Sequence, residues 1–168
     1  MEVDSFAFLP RSFRPLYERP EPLADETEPV WASLDKRLAE ARVALVSSAG
    51  LYVKGSQEPF DADRERREPE WGDPSWRSIT ADVATESLGM MHLHVNSDDV
   101  LADHNIALPT TVLDGLVAEG IVGGRTDEHF SVMGYQEAGL RVWLNETAPA
   151  IAARLRDHGA DAVVLAPV

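Results

Sequence analysis

The 168 residues contain no cysteine. Disulfides, thiolate metal sites and a cysteine nucleophile are therefore excluded from the chain as given. Lysine is nearly absent as well: Lys36 and Lys54 stand beside 13 arginines. With 29 acidic residues against 15 basic ones, the net charge is −14. Nucleic acids and anionic membranes are held by clustered Lys and Arg, which this balance does not supply, so neither partner is expected. The short run Arg64, Arg66, Arg67 alternates with Asp63, Glu65 and Glu68 and carries almost no net field. Long apolar runs are also missing. Residues 43–53 and 160–168 are the most extended, against the roughly 20 residues a spanning helix needs. Glu2 and Asp4 occupy the place of a positive n-region, so no secretory signal is read and a cytoplasmic location is expected. No Walker spacing, no GxGxxG fingerprint and no G-x-S-x-G elbow is present.

What is present suits one soluble domain: 18.4 kDa, 44% hydrophobic and 26% charged residues. Residues 1–30 read as a proline-rich extended arm, because Pro10, Pro15, Pro20, Pro22 and Pro29 deny them regular hydrogen bonding. Phe6, Phe8, Leu9, Phe13, Leu16 and Tyr17 give that arm apolar surface to lay along its own domain or a partner. Residues 31–168 read as a single α/β domain. Trp31, Leu34, Leu38 and Ala41 predict a helix over residues 28–41. Buried strands are predicted at 42–48 and 88–95, with a long polar connection from 54 to 84. Thr110 is expected to cap a helix over 109–119 whose stripe is Val112, Leu113, Leu116 and Val117, ended by Gly120, Gly123 and Gly124. Residues 129–133 read as a short strand or loop, 146–157 as a helix closed by Gly159, and 160–167 as a last buried strand. This alternation predicts an α/β, three-layer fold: a mostly parallel sheet with flanking helices, Rossmann-like or flavodoxin-like. Ligands of such sheets bind beyond the carboxyl ends of the strands. That rule places residues 47–56, 95–103 and the region after Val168 near one another.

Three stretches carry candidate chemistry. Ser47, Ser48, Ala49 and Gly50 form a small-residue turn whose backbone N–H groups can approach an anion, or simply turn the chain. His92 and His94 are two apart on a predicted strand and share a face, with Asn96, Asp98, Asp99 and Asp103 nearby. They suit a metal site built from His92, His94 and Asp99, a substrate grip, or ordinary strand-end hydrogen bonding. In Glu128-His129-Phe130-Ser131-Val132-Met133-Gly134-Tyr135, spacing alone makes no catalytic pair of Ser131 and His129. The residues by themselves describe a polar pocket without an identified reaction.

Several ordered strings resemble one family: A-R-V-A-L-V-S-S-A-G (41–50), S-Q-E-P-F-D (56–61), W-R-S-I (76–79), H-L-H-V-N-S-D-D (92–99), D-H-N-I-A-L-P (103–109), H-F-S-V-M-G-Y (129–135) and G-A-D-A-V-V-L-A-P-V (159–168). Together they resemble the selenoprotein B subunit of the glycine, sarcosine, betaine and D-proline reductases, the D-proline branch most of all. The resemblance implies a subunit of an amino-acid or amine reductase. In that chemistry a selenocysteine or cysteine attacks the substrate's α carbon, the C–N bond is cleaved reductively, and a dithiol donor resolves the selenide–sulfide bond. It implies no cofactor in this chain, selenocysteine in a full-length form, and a pyruvoyl group only on a partner subunit. A small amino acid or amine is the expected substrate, and a partner reductase subunit or a homo-oligomer the expected assembly. Ser47, Ser48, Gly50, His92, His94, Asp99, Ser131 and Met133 are carried over as pocket residues.

The departure from the family is the redox residue. No catalytic residue lies within the chain, and the family's motif follows the last strand. The domain is therefore expected to be truncated at its C-terminal end, an in-frame UGA after Val168 being read as a stop. The alternative is a short, non-catalytic paralogue that binds a ligand or assembles with a partner.

Overall fold

The computed structural model of the chain describes residues 32–68, 71–93, 95–136 and 140–168. The expected arm over residues 1–30 lies outside the described residues. β1 (Arg42–Ser47) is the sheet's organising strand: its apolar run Val43, Ala44 and Leu45 is buried on both faces, as a central parallel strand requires. β7 (Ala162–Ala166) runs parallel along one edge of it, from Val43↔Ala162 to Ser47↔Ala166. The other edge is shared. β5 (Gly124–Arg125) pairs with the start of β1 and β6 (Glu128–Val132) with its end, both parallel. β3 (Trp76–Thr80) lies antiparallel beside β6, so the sheet is mixed but mostly parallel. β2 (Leu51–Val53) and β4 (Leu88–Met90) form a separate antiparallel pair.

The shared edge leaves a gap at Leu45, between the last bridge to β5 and the first to β6. An imidazole fills it: the Leu45 N–H donates to His129 Nδ1 at 3.2 Å, and the Thr126 N–H donates to the Val43 carbonyl at 3.1 Å. An unpaired buried N–H at this point would be costly.

Helices cover both sheet faces, giving the expected three layers. The first, α1 (Ala62–Arg67), precedes β3. On one face Val100 of α2 (Ser97–Ala102) and Leu113 of α3 (Thr110–Ala118) pack with Val43, Leu45 and Ile79. The last helix covers the other face. It begins as a short α4 (Leu140–Val142), passes through a π-helical turn at Trp143–Thr147, and becomes α5 (Ala148–Asp157). Ile151 and Leu155 of α5 lie against Phe130, Val132 and Val46, with Trp76 edge-on to Phe130 at 5.5 Å. Arg154 holds Glu128 of β6 at 2.6 Å, fastening α5 to the sheet.

Several expectations change. Among the described residues, the helix expected over 28–41 is reduced to a 3₁₀ turn at Leu38–Glu40. Leu34 and Leu38 are 41% and 46% exposed and only Ala41 of the described stripe is buried, too little packing to hold a helix. The long polar connection over 54–84 contains elements that were not expected: α1, capped by the Asp61 carboxylate accepting from the Arg64 N–H (2.9 Å), and β3. The strand expected over 88–95 stops at Met90: the Met91 N–H still reaches the Gly50 carbonyl (3.0 Å), but the Gly50 N–H donates to the Val132 carbonyl (2.9 Å) and does not return the bond. Thr110 caps nothing. Pro109 takes the cap position, and the Thr110 hydroxyl lies 2.8 Å from His104 Nε2. Of the expected stripe only Leu113 is buried, and Val112 is 55% exposed. Residues 129–132 belong to β6, a strand paired on both sides, and Met133 extends it by a bridge to Ala49.

Candidate functional site

The turn after β1 brings the carboxyl ends of β4 and β6 together. Gly50 has φ +65°, and a Cβ there would lie 2.2 Å from the Met91 carbonyl oxygen and 2.6 Å from Met133 Sδ. Its N–H donates to the Val132 carbonyl (2.9 Å), its carbonyl accepts from Met91, and Ala49 bridges Met133. Only a glycine lets the segments carrying His92 and Met133 approach this closely. A second close contact completes the arrangement. A Cβ on Gly72 would lie 1.6 Å from the Tyr135 carbonyl oxygen, so Trp71 and Tyr135 are carried on touching backbones.

Between these segments lies a cavity of about 220 Å³, lined by Glu65, Arg66, Trp71, His92, Leu93, Met133 and Tyr135. It opens at the carboxyl ends of β4 and β6, where parallel α/β sheets hold their ligands. Glu65 is a nearly buried carboxylate whose Oε1 accepts from the Asp73 N–H at 3.3 Å. Asp73 is buried in turn and accepts from the backbone N–H groups of Asp61 and Ser75, both at 2.9 Å. That chain of bonds fixes α1 and the Trp71 loop to each other. Arg64 stacks over the Trp71 ring at 4.2 Å. The lining thus offers a carboxylate, a guanidinium, an imidazole and two aromatic rings. The volume is below the range of about 300–1,000 Å³ usual for drug-sized ligands, and matches an amino acid better than a nucleotide.

The residues that the sequence points to fall into distinct places. His92 and Met133 line the cavity, and Gly50 brackets it. The Ser47 and Ser131 hydroxyls are buried and accept from the N–H groups of Ala49 (3.2 Å) and Leu51 (2.7 Å). Ser48 Oγ accepts from the Val168 N–H at 2.9 Å, joining the end of β7 to the turn. Asp99 is exposed on α2, and the His94 side chain lies outside the described residues. Among the described residues, no group of three His, Cys, Asp or Glu side chains is placed to hold a metal ion. None of their helices is long and apolar enough to cross a membrane.

Glu65, Arg66, Trp71, Leu93 and Tyr135 join the cavity without having been expected there. Glu65 and Arg66 sit in a charge run that reads as solvated polar chain. The usable signal is the Asp61 cap followed by opposite charges at helical spacing, Asp63–Arg66 (2.7 Å) and Arg64–Glu68 (3.0 Å). A second, open cavity lies at the opposite strand ends, among Lys36, Glu40, Arg42, Arg125 and Asp161. Its cations already face acids: Lys36 meets Asp161 at 2.7 Å, Arg42 meets Asp127 at 3.6 Å, and Arg125 holds Asp82 and Asp114.

No family model and no solved structure matches the chain. Two curated proteins are similar to it. The D-proline reductase subunit gamma of Acetoanaerobium sticklandii is 30% identical over 137 residues, 82% of this chain and 52% of that protein. The glycine reductase complex component B subunit gamma of Carboxydothermus hydrogenoformans is 30% identical over 149 residues, 88% of this chain and 32% of that protein. The chain thus spans about half the length of the first relative and about a third of the second. Over most of its own length it is a homologue of gamma subunits from the D-proline and glycine reductase complexes, the family that its ordered motifs resemble.

Proposed function

We propose that the chain is part of a selenoprotein-B-like reductase subunit, with the cavity at the ends of β4 and β6 as its substrate pocket. The substrate is a small amino acid or amine. Glu65 receives its ammonium group, His92 and Arg66 its acidic end, and Trp71, Tyr135 and Met133 pack its carbon skeleton. The observation that carries this reading is the cavity itself: small, largely apolar, with a nearly buried carboxylate and an imidazole among its lining side chains. Since the 168 residues contain no cysteine, the selenolate or thiolate that attacks the substrate's α carbon comes from polypeptide outside them. The reading puts that residue after Val168. The Ser48–Val168 bond supports it, because Gly134 packs on Ser48 and adjoins the cavity-lining Met133. A pyruvoyl group, where the reaction uses one, belongs to a partner subunit.

Calorimetric titration of glycine, sarcosine, betaine and D-proline into the chain tests the pocket. One of them should bind saturably, and Trp71→Ala and His92→Ala should each weaken it at least about tenfold. Failure of all four to bind removes the pocket assignment. The catalytic half is tested separately, by sequencing the DNA past the Val168 codon and assaying the extended protein for dithiol-dependent C–N cleavage. A frame without selenocysteine or cysteine favours a second reading, a non-catalytic ligand-binding or assembly subunit, which the absence of cysteine from the 168 residues also supports.

A further inference from the structure

Among the side chains lining the cavity at the ends of β4 and β6, only Glu65 and Met133 are buried, Met133 at 2% exposure. These two form its floor, and the more open Trp71, His92, Leu93 and Tyr135 belong to its rim. Glu65 carries charge and is bonded to the Asp73 N–H, so Met133 is the apolar part of that floor. Its position is fixed by Gly50. One Cβ added there would meet both the Met91 carbonyl oxygen, at 2.2 Å, and Met133 Sδ, at 2.6 Å. The thioether therefore sits where the wall carrying His92 and Leu93 meets the wall carrying Tyr135.

The main chain beneath this side chain has little room to move. Met133 bridges Ala49, and its carbonyl accepts from Gln136 Nε2 at 3.2 Å. The preceding Val132 carbonyl accepts from the Gly50 N–H at 2.9 Å. With the Cα held, the reach of the side chain decides how deep a ligand can sit. Shortening it to alanine removes Cγ, Sδ and Cε and opens the cavity towards Gly50 and the Met91 carbonyl. An apolar pocket registers such changes in size: one methylene more or fewer is worth about 10–200-fold. We propose that Met133 is the specificity-determining residue of this pocket, its thioether limiting the ligand to the shortest carbon skeletons among amino acids and amines. The inference rests on the pocket reading above and adds to it the residue that sets the size limit.

Two ligand series provide the test, each titrated calorimetrically into the chain. One grows at the α carbon, in both enantiomers: glycine, alanine, 2-aminobutyrate, norvaline. The other grows at nitrogen: sarcosine, N-ethylglycine, N-propylglycine. The wild type should bind the shortest member of at least one series, and lose at least about tenfold in affinity once one or two carbons are added. Met133→Ala, and Met133→Val with its better fit to a strand end, should each bind that excluded member at least about tenfold more tightly than the wild type does. Met133→Leu, which nearly conserves volume, should keep the wild-type order. Gained affinity also shows that a variant folds, and lost packing alone does not produce it. A wild type that binds long and short members alike overturns the size limit, as do folded variants that bind the longer ligand no better. A wild type that binds no member of either series removes the pocket assignment itself, and the role of Met133 with it.

Discussion

His129 is fully buried on β6, and its Nδ1 lone pair accepts the Leu45 N–H where the two strands sharing β1's edge fail to meet. That role requires the neutral ring with its proton on Nε2. Burial, and then the charge of Arg125, pull its pKa from 6.5 to about 4. Above pH 6.5 the folded and unfolded chains both carry the neutral ring, and this contribution to stability is complete. As pH falls from 6.5 towards 4 the unfolded chain takes up the proton first, so stability is lost across that window. A tenfold difference in proton affinity between the two states corresponds to about 1.36 kcal/mol, so the total is at most about 3 kcal/mol. Urea unfolding at a series of pH values should show it. Substituting His129→Leu should lower stability at pH 7, because the Leu45 N–H loses its acceptor, by about 1–3 kcal/mol. The same substitution should remove up to one proton from the slope of stability against pH in that window. An unchanged slope would mean that His129 is not held neutral by the fold.

At the scale of elements, α3 shows how a local signal is redirected by tertiary contacts. Thr110 looks like a helix cap in the sequence, yet it joins a buried relay in which His104 Nδ1 lies 2.6 Å from Thr85 Oγ1 and Nε2 lies 2.8 Å from Thr110 Oγ1. Thr110→Val keeps the shape and deprives a buried ring nitrogen of its partner, an expected cost of about 1–3 kcal/mol by chemical denaturation. In a His104→Leu background the same change should cost almost nothing, because the partner is already gone. Equal cost in both backgrounds would return Thr110 to a capping role. β1 and the core of α5 are legible in the sequence because their apolar patterns act within a few residues of one another; β7 is legible as a strand but not as the buried one expected, since Val163, Val164 and Leu165 are half-exposed or more open in the described chain. β3 is not: its Trp76-Arg77-Ser78-Ile79-Thr80 gains strand character only beside β6, where Ser78 meets the distant Phe130. The candidate site divides in the same way. His92 and Met133 are visible as strand-end residues, whereas Trp71 and Glu65 reach the cavity through the buried Asp73 and the Gly72–Tyr135 contact, which no local pattern encodes.

For the molecule as a whole the dominant quantity is charge. The chain carries −14, and charges of one sign held on one compact molecule repel one another more than they do on the expanded, unfolded chain. Ion pairs such as Asp63–Arg66 and Arg64–Glu68 lie at the surface, where each contributes little. The Debye length falls from about 30 Å at 0.01 M to about 10 Å at 0.1 M ionic strength, a range over which long-range repulsion is screened far more than contacts between touching groups. The midpoint of thermal unfolding should therefore rise as sodium chloride is raised through that range, and rise further in sulfate, which also favours apolar burial. Scanning calorimetry across the salt series measures this directly. The sign is decisive: a fold held mainly by its ion pairs loses stability with salt, whereas one opposed by its own net charge gains it.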